Sequence, residues 1–154
     1  MTFKNEAQLK KFLTDKCAKA VANAEEKIYA ELSGNLYQFY TEYEPVEYIR
    51  TGALLGALDI SPVKRIANQH MSRVAAEVGF NVPKYQHGWI RLQSGDFGYS
   101  WWDDEYVLDV VMTDNLPHGR YHGGTAIWTK SMKALGGHRG IQRLLRQELK
   151  KQGL

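Results

Sequence analysis

EAQLKKFLTDKCAKAVANAEEKIYAEL, residues 6–32, decides the reading of the fold. Apolar residues at Leu9, Phe12/Leu13, Cys17, Val21, Ala24, Ile28 and Leu32 recur at three- to four-residue steps. That period lays one apolar stripe along an α-helix. Asn5 precedes the stripe as an N-cap, and Gln8, three positions on, completes a capping-box pattern. Ser33-Gly34-Asn35 offers the left-handed residue that closes a helix, so the helix is expected to stop near Leu32. At 1.5 Å per residue it would run roughly 40 Å.

Beyond it lies a tyrosine-dense segment, Leu36 to Ile49, holding Tyr37, Tyr40, Tyr43 and Tyr48 around Pro45. Pro45 disfavours helical geometry at Glu44 and breaks any helix there. Thr51 is placed to cap a short helical turn carrying Leu54, Leu55 and Leu58. Val74, Ala76, Val78 and Phe80 alternate as in a half-buried strand, and Gly88 to Leu92 reads as another. Val63 to His70 fits strand or helix equally. Asp103-Asp104-Glu105 ahead of Val107, Leu108, Val110 and Val111 suits a helix N-terminus, whereas the β-branched density suits a strand. Asn115 to Gly124 is a glycine-rich surface loop.

The last element starts near Gly140 and ends at Gly153. Ile141, Leu144, Leu145 and Leu149 share one face, and Arg139, Arg143, Arg146 and Lys150 share the other. The fold class expected is α+β, with a long N-terminal helix and a C-terminal helix packed on a small antiparallel β-sheet. No repeat, low-complexity tract or linker divides residues 1–154, which are expected to form a single domain.

With 44% apolar and 12% aromatic residues the chain can offset its ordering entropy, which excludes a disordered class. No apolar run approaches the roughly 20 residues that span a bilayer, and the N-terminus has no signal-peptide core. Cys17 is the one cysteine, so neither a disulfide scaffold nor a cysteine metal cage is open to the fold. A soluble protein of a reducing cytoplasm is expected. The net charge of +3 hides an uneven distribution. Residues 130–154 hold seven cations, Lys130, Lys133, Arg139, Arg143, Arg146, Lys150 and Lys151, against Glu148 alone, a net of +6. The first 129 residues carry thirteen basic and sixteen acidic groups, a net of −3. A basic tail helix on an acidic body is either a docking element for something negative or a solvated face.

Catalytic chemistry finds little support. His118 and His122 are four apart, but Pro117, Gly119, Gly123 and Gly124 surround them and no glutamate lies between. Asp103, Asp104 and Glu105 are adjacent and do not converge on one point, so helix capping accounts for them better than acid–base work. Cys17 lies on the apolar stripe as an inert thiol. Gly136 to Gly140 lacks the ending of a phosphate-binding loop. No nucleophile, base and orienting group can be assembled. The chain is read as a non-enzyme without metal or cofactor. The rival reading is a module that uses the basic tail helix to bind nucleic acid, with Trp101-Trp102 and the tyrosines stacking, or to engage a host component.

The most specific text is Tyr40-x2-Tyr43-x-Pro45-x2-Tyr48-x-Arg50-Thr51-x2-Leu54. It resembles a motif of small virion proteins from the tail-completion and head–tail joining (neck) family of tailed phages. In that family a long N-terminal helix leads into a Tyr/Pro segment, Arg-Thr and a leucine turn. Strands, a Gly/His-rich loop and a C-terminal helix follow, here ending Glu148 to Leu154. This chain departs from the pattern at Gly56-Ala57-Leu58, where many members place a serine. The resemblance implies a non-enzymatic subunit that forms a homo-oligomeric ring, a hexamer when assembled. Its place would be the virion's head–tail junction or upper tail end, reached from the host cytoplasm. Its implied partners are the head–tail connector and the tail terminator or tail tube, with non-specific contact to DNA in the lumen and none to membrane. The interface residues would be Tyr40, Tyr43, Pro45, Tyr48, Arg50, Thr51 and Leu54, together with Arg139, Arg143, Arg146, Lys150 and Lys151 on the basic helix. Tyr37, Tyr40 and Tyr43 either form that interface or cover the long helix, and Arg50 either fixes the loop or is internal.

Overall fold

The structure is a computed structural model and describes residues 2–42, 52–67, 72–81, 89–91, 97–99 and 127–154. The described elements are α1 (Glu6–Glu42), α2 (Ala53–Ala57), β1 (Leu58–Ile60), β2 (Lys64–Ala67), β3 (Ser72–Ala75), β4 (Val78–Phe80), β5 (Trp89–Arg91), β6 (Phe97–Tyr99), α3 (Ile127–Ala134) and α4 (Gly137–Lys151). The class is α+β, with a long N-terminal helix, a C-terminal helix and small antiparallel two-stranded sheets. The strands pair as β1 with β4, β2 with β3 and β5 with β6. The hairpin register places Ile66 opposite Arg73 and Lys64 opposite Ala75 in one ladder, and Trp89 opposite Tyr99 in another.

Helix α1 starts as its sequence dictates. The Asn5 Oδ1 accepts a hydrogen bond from the Gln8 N–H at 2.9 Å, satisfying one of the orphan donors of the first turn. Gln8 reaches back to the Lys4 N–H at 3.0 Å, one residue earlier than a strict capping box. The helix does not stop near Leu32 but runs on to Glu42. Asn35 donates to the Glu31 carbonyl at 3.0 Å and to the Ser131 hydroxyl at 3.0 Å, so its amide reinforces the helix instead of ending it. Gly34 is helical, and a helix-terminating left-handed geometry is absent there.

The chain divides into two compact units. One comprises residues 1–29, 60–78 and 135–154, and holds most of α1, the β2–β3 hairpin and α4. Its buried residues include Ala24 of the apolar stripe, together with Ala18 and Ala20. Leu9 and Leu13 remain 37% and 38% exposed. The other unit comprises residues 30–59 and 79–134, with Leu32, Leu36, Leu54, Ala57, Leu58 and Ile127 as its buried apolar residues. There α3 meets the end of α1, and Ser131, whose hydroxyl donates to the Ile127 carbonyl at 2.7 Å, accepts from Asn35. Helix α3 has no counterpart among the elements the sequence suggested.

Alternation over residues 74–80 is split between β3 and β4. The break falls at Ala76-Glu77, where the Glu77 N–H turns to the Glu25 carboxylate at 3.1 Å and the Ser61 hydroxyl at 3.0 Å. Residues 64–67 are a strand, not a helix. Gly52, with φ 76°, occupies the cap position before α2; it is a glycine because that backbone geometry penalises any Cβ. The region read as Asp103 to Val111, the loop 115–124 and the histidine pair lie outside the described residues.

Candidate functional site

Helix α4 has the two faces its sequence specifies. Arg139, Arg143, Arg146 and Lys150 are exposed, while Ile141, Leu144, Leu145 and Leu149 are half-buried. Those cations follow one another at intervals of four, three and four residues, so they form a row about 16 Å long at 1.5 Å per residue. Gly153 closes the helix in a left-handed conformation at φ 80°. The Leu154 N–H reaches the Leu149 carbonyl at 3.1 Å and the Gly153 N–H reaches Lys150 at 3.0 Å, the paired bonds of a Schellman motif.

What fixes the row is an acid that sequence reading counted only as a charge. Glu148 is buried, its side chain 2% exposed. It accepts from Lys27 Nζ at 2.7 Å, from Lys151 Nζ at 2.8 Å and from Asn23 Nδ2 at 3.2 Å. Two ammonium groups and an amide offset the desolvation of the carboxylate. Hydrogen bonds from Lys151 first and Lys27 second hold its pKa down at about 2, against burial, which raises it. The same carboxylate raises the pKa of Lys151. Helix α4 is therefore bolted to α1 at Asn23 and Lys27, and Lys151, expected as an interface residue, is engaged by the bolt. The signal was legible in principle: Glu148 is the sole acid in a cationic helix and sits on its apolar side.

A second buried acid, Glu25, receives the Glu77 N–H. Burial is the main cause that raises its pKa, partly countered by that hydrogen bond. At the start of α4, Gly136 and Gly137 have φ 80° and 64°. Gly140 lies against the Leu135 backbone so closely that a Cβ there would stand 1.6 Å from the Leu135 oxygen.

Of the Tyr/Pro segment, Tyr40 is half-buried with its ring edge-on to Phe39 at 5.5 Å. Leu54 is buried in the core of its unit, which makes it a packing residue there. Tyr43, Pro45, Tyr48, Arg50 and Thr51 lie outside the described residues. Cys17 is a free thiol, half-buried. Among the described residues no three His, Cys, Asp or Glu gather as metal ligands, and no helix is long and apolar enough to cross a membrane.

Charge divides by compact unit. Residues 1–29, 60–78 and 135–154 carry fourteen basic and six acidic residues, a net of +8. Residues 30–59 and 79–134 carry six basic and eleven acidic residues, a net of −5. No family model, no curated protein and no solved structure matches the chain.

Proposed function

We propose that this chain is a non-enzymatic structural subunit of a tailed-phage virion. It forms a ring at the head–tail junction or the upper end of the tail and joins the capsid connector to the tail. The observation that carries this reading is the division of charge, +8 on one compact unit and −5 on the other. A subunit that associates head to tail needs two unlike surfaces, and a ring closes when the rotation between successive copies allows it. Two oppositely charged units on one chain supply unlike surfaces, and the charge steers their encounter. The exposed row on α4 is suited to meet an acidic protein face, because the Glu148 bolt holds it in a fixed position. The resemblance of residues 40–54 to the head–tail joining motif supports the same reading.

The test is complementation of particle assembly with Arg143→Glu, Arg146→Glu and Lys150→Glu together. These residues are exposed, so the fold is retained. Deleting residues 140–154 is a poorer probe, since it removes Glu148 as well. The expected result is separate heads and tails that do not join. Wild-type yields of joined particles would contradict the docking role of α4.

A further inference from the structure

Strand β2 and the residues leading into it are tied to α1 at two points. Arg65 Nη1 meets Asp15 Oδ1 at 3.1 Å. Ten residues further along α1, Glu25 accepts the Glu77 N–H at 3.1 Å, and the same N–H meets the Ser61 hydroxyl at 3.0 Å. Ten helical residues cover about 15 Å. The four steps from Ser61 to Arg65 cover about 13 Å when extended, so the two ties hold this stretch lengthwise along the helix. Between the ties α1 carries Ala18 and Ala22, one turn apart, whose side chains end at Cβ. An open cleft of about 520 Å³ remains there, lined by Ala18, Lys19, Ala22, Val63 and Arg65. Val63 and Arg65 are two apart and line it from the same side of the extended stretch. All five residues belong to the compact unit with net charge +8. The floor, Ala18, Ala22 and Val63, is apolar, and both polar members are cations. Lys19 is exposed and makes no ion pair among the described residues. Arg65 meets Asp15 through Nη1, which leaves guanidinium donors for a ligand.

We propose that this cleft docks an acidic peptide segment of a partner protein. One apolar side chain of the segment sits on Ala18, Ala22 and Val63, and the carboxylates on either side of it meet Lys19 and Arg65. Charge complementarity selects this occupant: the field of the +8 unit attracts an acidic chain and orients its encounter. The Arg65 guanidinium, held in place by Asp15, presents a fork whose geometry matches a carboxylate. A site that encloses a small molecule buries most of its surface. An open cleft with five lining residues does not, so its occupant is a chain that crosses it. A nucleic-acid backbone would satisfy the two cations but has nothing apolar to place on the floor, and the lining offers no aromatic ring for a base to stack on. None of the five residues is on α4, and the inference does not rest on the ring reading, because its test uses the purified chain and a peptide alone.

The experiment is fluorescence anisotropy of a labelled heptapeptide, a central leucine with three glutamates on each side, titrated with the full chain. The salt concentration is about 150 mM, at which charges more than about 8 Å away are largely screened. Replacing the leucine of the peptide by serine should weaken binding about tenfold, the worth of burying that side chain. Lys19→Glu should weaken it at least about fivefold. Lys11→Glu makes the same change of charge at an exposed position about 12 Å earlier on α1, and should leave the affinity within about twofold of wild type. Circular dichroism checks that each variant keeps the fold. Absence of binding at about 1 mM protein overturns the proposal, as does an equal loss in both variants or equal affinity for the two peptides. Binding that is lost in Arg143→Glu with Arg146→Glu but kept in Lys19→Glu also overturns it, and moves the site to α4. Displacement of the peptide by random-sequence duplex DNA at a lower concentration than by unlabelled peptide overturns it in favour of nucleic acid.

Discussion

Gly140→Ala should destabilise the protein, although replacing a helical glycine by alanine ordinarily does the opposite. The new methyl would stand 1.6 Å from the Leu135 oxygen and 2.6 Å from its carbonyl carbon. Ordinary contact begins at 3.4 Å, so the chain must open there by about 1.8 Å. Both partners are backbone, and no side chain can swing away. Relief of such overpacking costs about 3 kcal/mol, the upper part of the usual range. The better helix propensity of alanine returns about 1 kcal/mol. The net loss is about 2 kcal/mol, which for a chain of this size lowers Tm by about 4–8 °C. Gly34→Ala is the internal control. It is helical with nothing within 4 Å of an added Cβ, so it should gain about 0.5–1 kcal/mol and raise Tm by about 1–4 °C. Thermal melts followed by circular dichroism measure both. A Tm for Gly140→Ala equal to or above wild type would refute the close approach of the α3–α4 turn to the first turn of α4.

Glu148→Gln should change the acid limb of the stability curve. A carboxylate whose folded pKa is depressed contributes stability above its unfolded value, and loses it as pH falls through the folded value. The Glu148 contribution is therefore complete above about pH 4.5 and disappears on approaching pH 2. The difference in Tm between wild type and Glu148→Gln should be constant at neutral pH and shrink across that window. Glu25 acts in the opposite sense, since its raised pKa favours the protonated form in the folded state. Leu32→Ala removes a side chain 1% exposed and should cost about 2–5 kcal/mol, read from urea unfolding. Asn35→Ala leaves the buried Ser131 without its Asn35 partner and should cost about 1 kcal/mol in the same assay.

Legibility followed the range of the interactions. Asn5 capping α1 and the two faces of α4 were readable because caps and helical periodicity act over three or four residues. The end of α1 was misread because Ser33-Gly34-Asn35 has the composition of a stop, while Ser131, far along the chain, engages Asn35 within the helix. Helix α3 passed unnoticed since Ile127 to Ala134 is short and its tie to α1, the hydrogen bond from Asn35 to Ser131, spans 96 residues. Of the stripe on α1, Ala24 and Leu32 are buried and Leu9 and Leu13 are exposed, while Ala18 and Ala20, which the stripe did not include, are buried as well. Charge counted along the chain gave a −3 body and a +6 tail. Counted by compact unit it becomes −5 and +8, because α1 and the β2–β3 hairpin bring their lysines and arginines into the unit that holds α4. That grouping is tertiary, and so is the role of Glu148, whose two remote partners are 125 and 121 residues away.

Quantitative mass spectrometry of purified tailed virions tests the proposed role in a phage particle most directly. The expected result is the chain at a fixed copy number per particle, one hexamer's complement, in tailed virions and in isolated necks or tails. Its absence from purified particles, with the chain still expressed during infection, would contradict the claim.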